Sequence, residues 1–129
     1  KFLKQSNLDY EHGTGHGVGF FLNVHEGPQS ISKINTIKIK EGMILSNEPG
    51  YYKKNKFGIR IENLIYVKKA GNRTFFENLT LVPIEKDLIN YKHLTTFDRD
   101  YLFRYHLKVY SNISKYLNLK EKKWLASFI

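Results

Sequence analysis

Every glycine and proline of this 129-residue chain lies before residue 94. Because both residues interrupt regular elements, the chain must contain two regions of different character. From about Asp9 to Glu85 they separate short β-branched and aromatic runs, as is typical of strands and loops, whereas from about Leu94 apolar residues recur at helical spacing. We therefore predict an α+β fold with a curved antiparallel sheet followed by C-terminal helices.

The first region contains five predicted strands, at residues 18–24, 36–40, 43–48, 59–68 and 74–84. The last two are predicted to be joined by a hairpin connection, Ala70-Gly71-Asn72-Arg73. In the tail, Thr96 is predicted to cap a helix. The apolar face of that helix is predicted to run through Phe97, Tyr101, Tyr105, Val109 and Ile113, and a shorter helix is predicted to carry Trp124, Leu125 and Phe128.

Composition narrows the class of protein. With 41% hydrophobic and 15% aromatic residues the chain can bury a core. It has no cysteine, which excludes disulfides and thiolate metal sites and leads us to expect a cytoplasmic location. The net charge of +9 comes from scattered lysines without a nucleic-acid-binding motif, and no apolar run is long enough to cross a bilayer. We expect neither nucleic acid nor membrane as a partner.

The side chains that can do chemistry lie in four short stretches of the first region. His12 and His16 are four residues apart in HGTGHGVG, where the glycines let the backbone pass close to a ligand. His25 precedes the turn in VHEGP. Glu48 ends an apolar run in SNEPGYY, and Pro49 forces it toward an extended conformation.

The fourth stretch is GIRIEN, where period-two alternation places Arg60 and Glu62 on one face of a strand. The opposite face is predicted to carry Ile59, Ile61 and Ile65. A charged pair that points inward needs a partner, and imidazole with carboxylates is a ligand set suited to zinc, manganese or divalent iron. Each stretch alone has an ordinary structural explanation, such as a turn or an exposed salt bridge. The ordered combination of all four favours a metal site.

The runs HGTGHGVG, VHEGP, SNEPGYY and FGIRIEN, followed by LTLVPI and a helical tail with YHL, resemble aminopeptidase P (Xaa-Pro aminopeptidase) of the pita-bread metallopeptidase superfamily. The resemblance extends from about Leu8 to the C-terminal helices. It implies the C-terminal half of a pita-bread (creatinase/aminopeptidase-like) catalytic domain, with residues 1–93 in that half and residues 94–129 as its helical extension. The implied activity releases the first residue of peptides that carry proline second.

The resemblance also implies metal ligands. His16, Glu48 and Glu62 match positions that bind two divalent ions, usually manganese with zinc as the alternative, and Glu62 matches the carboxylate that bridges the ions. The family's two aspartate ligands and a further pocket histidine belong to an upstream segment that has no match here. The aspartates of the chain stand in no matching context; they are Asp9, Asp87, Asp98 and Asp100.

Other residues match the catalytic pocket. His12 and His25 match histidines that hydrogen-bond the scissile region and the developing charge, and Arg60 matches an arginine that supports the site. Glu48 matches the proton shuttle when activated water attacks the carbonyl before proline. The X-Pro bond calls for a dedicated enzyme because its nitrogen carries no hydrogen.

With three of five ligands, the chain alone is expected to bind metal weakly and to be inactive or nearly so. Its expected partners are peptide substrates, the N-terminal half of the catalytic domain and, through the helical tail with Trp124 and Phe128, a second copy in a homodimer. A prolidase-type dipeptidase is the nearest alternative, since the choice of aminopeptidase P rests mainly on HGTGHGVG, VHEGP and the tail. A non-catalytic, peptidase-like binding module is the alternative of another class.

Overall fold

The computed structural model describes residues 2–21 and 23–129. The chain forms two compact units, Lys1–Thr80 and Leu81–Ile129. The first is built from antiparallel strands and the second mainly from helices, which confirms the predicted α+β class. Within the described residues, no helix is long and apolar enough to span a membrane.

The first unit begins with a short helix, α1 (Phe2–Gln5), followed by short strands. The strands are β1 (Gly15–His16), β2 (Ser30–Ile31), β3 (Ile44–Asn47), β4 (Gly50–Lys53), β5 (Phe57–Arg60), β6 (Asn63–Ala70) and β7 (Arg73–Asn78). All pairings are antiparallel, as predicted, but the described strands divide into three small sheets: β1-β2, β3-β6-β7 and β4-β5.

The core of the first unit lies where β3 and β6 pair. Leu45 is paired with Ile65, and both are buried together with Val67. Alternate residues of a strand point to the same face, so Ile65 and Val67 present one apolar surface. Partly buried Ile31, Ile39 and Met43 pack against it. This core fixes β3, whose C-terminal end leads into the candidate site.

The predicted hairpin between the last two strands is confirmed. Ala70 pairs with Arg73, and the two residues between them form the turn. Gly71 has a φ of 58°, a left-handed conformation that glycine adopts without steric cost. The strand predicted to reach residue 84 ends earlier, at Asn78, because the Leu79 N–H returns to the Leu64 carbonyl outside the ladder.

Two predicted strands are wrong. Residues 18–21, 23 and 24 form a loop, closed by hydrogen bonds from Gly19 N to Asn23 O and from Glu26 N to Gly17 O; Leu22 lies outside the described residues. Residues 36–40 are also irregular. There the Asn35 side chain donates to the carbonyl of Ile37 and accepts from its N–H, at 3.0 Å each. It therefore makes the hydrogen bonds that a neighbouring strand would otherwise make.

The strand predicted at residues 59–68 is broken after Arg60, and β6 begins at Asn63. The chain changes partner there, because β5 pairs with β4 whereas β6 pairs with β3. The Ile61 N–H bonds the Pro49 carbonyl at 3.3 Å between the two ladders. The face predicted to carry Ile59, Ile61 and Ile65 is therefore not continuous, since Ile65 is buried on β6 whereas Ile59 and Ile61 are 41% and 47% exposed.

The second unit contains helices α2 (Thr96–Ile113) and α3 (Leu119–Ala126). The cap of α2 is Thr95 rather than the predicted Thr96, because Thr95 forms a reciprocal capping box with Asp98. Tyr105, Val109 and Leu125 form the core. The predicted apolar face of α2 is wrong in its first turns, where Phe97 is 79% and Tyr101 47% exposed. Trp124 is likewise largely exposed, and Phe128 lies beyond the end of α3.

Candidate metal and substrate site

The site is built around the contact between β1 and β3. A Cβ on Gly15 would overlap the carbonyl group of Ser46, so only glycine allows β1 to approach β3 this closely. The His16 N–H donates to the Ser46 Oγ at 2.9 Å. The backbone of His16 is therefore held against the buried end of β3.

Ser46 connects His16 and Glu48, the two candidate metal ligands at the contact between β1 and β3. Its Oγ donates to Glu48 Oε1 at 2.9 Å, and His16 Nε2 lies 3.2 Å from the same carboxylate oxygen. His16 Nδ1 is 3.0 Å from the Gly17 carbonyl oxygen, which can only accept, so Nδ1 carries the hydrogen. In a neutral ring Nε2 then presents a lone pair to the carboxylate, an arrangement that a cation between the two atoms would stabilise.

Arg60 connects the buried carboxylate to the second one. Glu48 is 7% exposed, and Arg60 Nη1 donates to its Oε2 at 3.0 Å. The same nitrogen lies 3.9 Å from Glu62 Oε2. Glu48 is thus a partner for the charged pair of Arg60 and Glu62, and Arg60 links the two carboxylates despite the strand break.

The other two predicted site histidines, His12 and His25, border this group. The His25 ring centroid lies 4.4 Å from that of His16. His12 Nε2 is 2.8 Å from the Tyr52 hydroxyl, which in turn accepts from Arg60 Nε at 2.8 Å. The described structure therefore brings the six predicted site residues into one connected group: His12, His16, His25, Glu48, Arg60 and Glu62.

Tyr52 is a member of this group that sequence reasoning missed. Its ring lies across the β4-β5 hairpin, where a Cβ on Gly58 would come within 2.9 Å of Tyr52 Cδ1 and one on Gly50 would overlap the hydroxyl. The hydrogen bond to Tyr52 raises the pKa of Arg60 above its ordinary value, and the charges of Glu48 and Glu62 contribute in the same direction. Ser46 was also missed. A signal for Ser46 was present, since it alternates with Glu48 in the strand predicted at residues 43–48.

These donors fit part of a metal centre. Among the described residues no group of three or more His, Asp or Glu side chains is arranged to hold an ion. His16 and Glu48 converge on one point, whereas Glu62 is separated from them by the Arg60 guanidinium. An open cavity of about 580 Å³ lies beside the group, and His12, Tyr10, Thr14 and Pro49 are among the residues that line it.

Imidazole and carboxylate donors at the end of a buried strand are a ligand set of the kind that metalloproteins use for divalent ions. The chain belongs to metallopeptidase family M24, whose model matches residues 1–69, and the model for the C-terminal region of peptidase M24 matches residues 74–127. It is 47% identical to aminopeptidase P2 of Arabidopsis thaliana, over 95% of this chain and 19% of that protein. It is also 47% identical to Xaa-Pro aminopeptidase 1 of Dictyostelium discoideum, over 95% of this chain and 22% of that protein.

Solved structures agree with this assignment. The X-prolyl aminopeptidase from Caenorhabditis elegans, described as a cytosolic enzyme with a di-nuclear active site, matches 97% of this chain and 22% of its own with a TM-score of 0.89 and 39% identity. The X-Pro aminopeptidase from Thermotoga maritima matches 64% of this chain and 22% of its own, with a TM-score of 0.53 and 39% identity. The predicted resemblance to aminopeptidase P and the predicted C-terminal part of the pita-bread fold are confirmed. The chain spans about a fifth of the length of its relatives.

Proposed function

We propose that this chain forms part of the catalytic domain of a metal-dependent Xaa-Pro aminopeptidase, which releases the first residue of peptides with proline in second position. The observation that carries the proposal is the connected group of His16, Glu48, Arg60 and Glu62. Imidazole and carboxylate side chains that can hold divalent ions suit the hydrolysis of a peptide bond. Two relatives named as aminopeptidases, aminopeptidase P2 of Arabidopsis thaliana and Xaa-Pro aminopeptidase 1 of Dictyostelium discoideum, each match 95% of this chain.

His16, Glu48 and Glu62 are the residues that would hold two divalent ions, for which we propose manganese, with zinc as the alternative. When bound, such ions supply Lewis-acid polarisation of the substrate carbonyl and an activated water. The His16 Nδ1 hydrogen on the Gly17 carbonyl orients the ring so that Nε2 points toward Glu48. Arg60 Nη1 lies 3.0 Å from Glu48 Oε2 and 3.9 Å from Glu62 Oε2, so it links the two carboxylates.

The other residues of the group would act on the substrate. Glu48, buried and hydrogen-bonded by Ser46, is placed to move a proton to the leaving proline nitrogen. His25, beside His16, would donate a hydrogen bond to the scissile carbonyl and to the charge that develops on it, and His12, at the cavity, would hydrogen-bond the scissile region. These roles of His12, His25, Glu48 and Arg60 are part of the proposal.

The chain would function with other segments. We propose that residues 1–93 form the C-terminal half of the catalytic domain, that residues 94–129 extend it, and that an N-terminal half supplies further ligands. The proposed location is cytoplasmic, as stated for the enzyme of Caenorhabditis elegans. The proposed oligomer is a homodimer, for which the exposed Trp124 on α3 would provide apolar contact area.

The test is hydrolysis of an Xaa-Pro-Pro peptide by the full-length protein that carries these residues, with added manganese. We expect turnover that is lost in Glu62→Gln and retained in Glu41→Gln, a matched substitution at an exposed turn. The chain alone should show little or no turnover. Hydrolysis of Xaa-Pro dipeptides in preference to longer peptides would favour a dipeptidase. A full-length protein that binds manganese without cleaving either substrate would contradict the proposal.

A further inference from the structure

His12 lies in a glycine-rich segment whose backbone does not by itself hold the imidazole in one orientation. Gly13 and Gly15 follow it, and glycine gives the backbone more conformational freedom than any other residue. Within the described structure both nitrogens of the imidazole are instead hydrogen-bonded, one to the neighbouring residue and one to a distant side chain. Nδ1 bonds the Gly13 carbonyl at 2.7 Å, and Nε2 faces the Tyr52 hydroxyl. Because the carbonyl can only accept, these contacts specify the Nδ1–H form of the ring.

Tyr10 adds a contact on the face of the ring. The Tyr10 and His12 ring centroids are 4.7 Å apart, with the planes tilted by 36°. The Tyr10 hydroxyl shares a 2.6 Å hydrogen bond with the Thr14 Oγ1. The Tyr10 side chain therefore covers the His12 ring and bonds Thr14 beyond it. This bond closes the glycine-rich segment between Tyr10 and Thr14 into a loop.

Thr14 is itself fixed on both sides of its backbone. Its N–H donates to the Ile31 carbonyl at 3.0 Å, and its carbonyl accepts from the Glu48 N–H at 2.8 Å. The residue that holds the Tyr10 hydroxyl is therefore bonded directly to the backbone of the buried carboxylate residue. Through Thr14, the position of the Tyr10 ring is coupled to that of Glu48.

We infer that Tyr10 and Thr14 form a clamp that positions the His12 imidazole relative to Glu48. The inference rests on the proposed function, in which His12 hydrogen-bonds the scissile region of the substrate. Tyr10 is a positioning residue because it acts through His12 and through the wall of the cavity. Without the Tyr10–Thr14 hydrogen bond the His12 imidazole samples other orientations. The fraction of molecules in which His12 is correctly oriented toward the substrate then decreases.

The test uses the full-length protein with Tyr10→Phe, which keeps the ring, and Thr14→Val, which keeps the shape of the side chain. We expect each to lower kcat about three- to tenfold with little change in KM, since the lost alignment matters for developing charge. The double variant should be no worse than either single one. Thr14→Ser, which keeps the hydroxyl that Thr14→Val removes, should retain the wild-type kcat. Tyr51→Phe, on the opposite face of the β4-β5 hairpin, should also leave kcat unchanged.

The decisive comparison repeats Tyr10→Phe in a His12→Gln background. If Tyr10 acts through His12, the substitution has no further effect on kcat there. An equal loss in both backgrounds, or a loss of bound manganese, would overturn the inference because it would show a general structural role.

A second readout does not need turnover. In ¹⁵N-histidine NMR spectra of the full-length protein, we expect His12 as one Nδ1–H tautomer, and a mixture of tautomers in Tyr10→Phe. If the wild-type protein cleaves no Xaa-Pro peptide, the proposed function fails while this spectrum still decides the clamp. An unchanged His12 signal in Tyr10→Phe would refute it.

Discussion

At the scale of single residues, the Tyr52 hydroxyl links Arg60 to His12 with 2.8 Å on each side. Tyr52 accepts from Arg60 and donates its hydrogen to His12, so Tyr52→Phe removes both hydrogen bonds and leaves the ring over Gly50 and Gly58 in place. Hydrogen bonds to charged groups contribute about 1.5–3 kcal/mol each. We therefore expect kcat/KM of the full-length protein for an Xaa-Pro-Pro peptide to fall about 10- to 100-fold.

The matched control for this prediction is Tyr51→Phe, because Tyr51 projects from the other face of the same hairpin. It should retain wild-type kcat/KM. Wild-type activity in Tyr52→Phe would show that the link between Arg60 and His12 is not used in turnover.

At the scale of elements, the approach of β1 to β3 places His16 beside Glu48. Gly15→Ala would force a Cβ into the carbonyl group of Ser46, so β1 must move away from β3. Such overpacking costs about 1–3 kcal/mol. We expect the full-length variant to melt at a lower temperature and to lose activity, whereas Gly27→Ala, where a Cβ meets no atom within 4 Å, should do neither. An unchanged melting temperature in Gly15→Ala would contradict this account of β1.

What the sequence could predict at this scale was mostly local. The Gly71-Asn72 hairpin and the helices depend on neighbouring residues, and they are found in the structure. The break after Arg60 was not predictable from alternation, because it follows from a change of pairing partner near Pro49. In the site, motif residues were found in advance, but Tyr52 was not, since its partner His12 lies 40 residues away. Hydrogen bonds of that range leave no periodic signal in a sequence.

At the scale of the whole molecule, the chain spans about a fifth of the length of its relatives, and only part of a metal centre can be assembled from its described residues. A ligand that binds only the folded state stabilises it, by about 2.7 kcal/mol when its concentration is 100 times its Kd. We therefore expect manganese to raise the melting temperature of the full-length protein measurably.

The manganese-induced rise in melting temperature also distinguishes a metal centre that needs ligands from other segments from one that this chain forms alone. Glu62→Gln should reduce the manganese-induced rise in melting temperature, because a carboxylate ligand is lost, whereas Glu41→Gln should leave it intact. The chain alone, once circular dichroism shows that it is folded, should give little or no rise, because His16 and Glu48 converge while Arg60 separates Glu62 from them. A rise in the chain alone as large as in the full-length protein would mean that Glu62 can reach the ion without further ligands. In that case Arg60 would have to leave the space between the carboxylates, and Arg60→Ala should then increase the rise rather than decrease it.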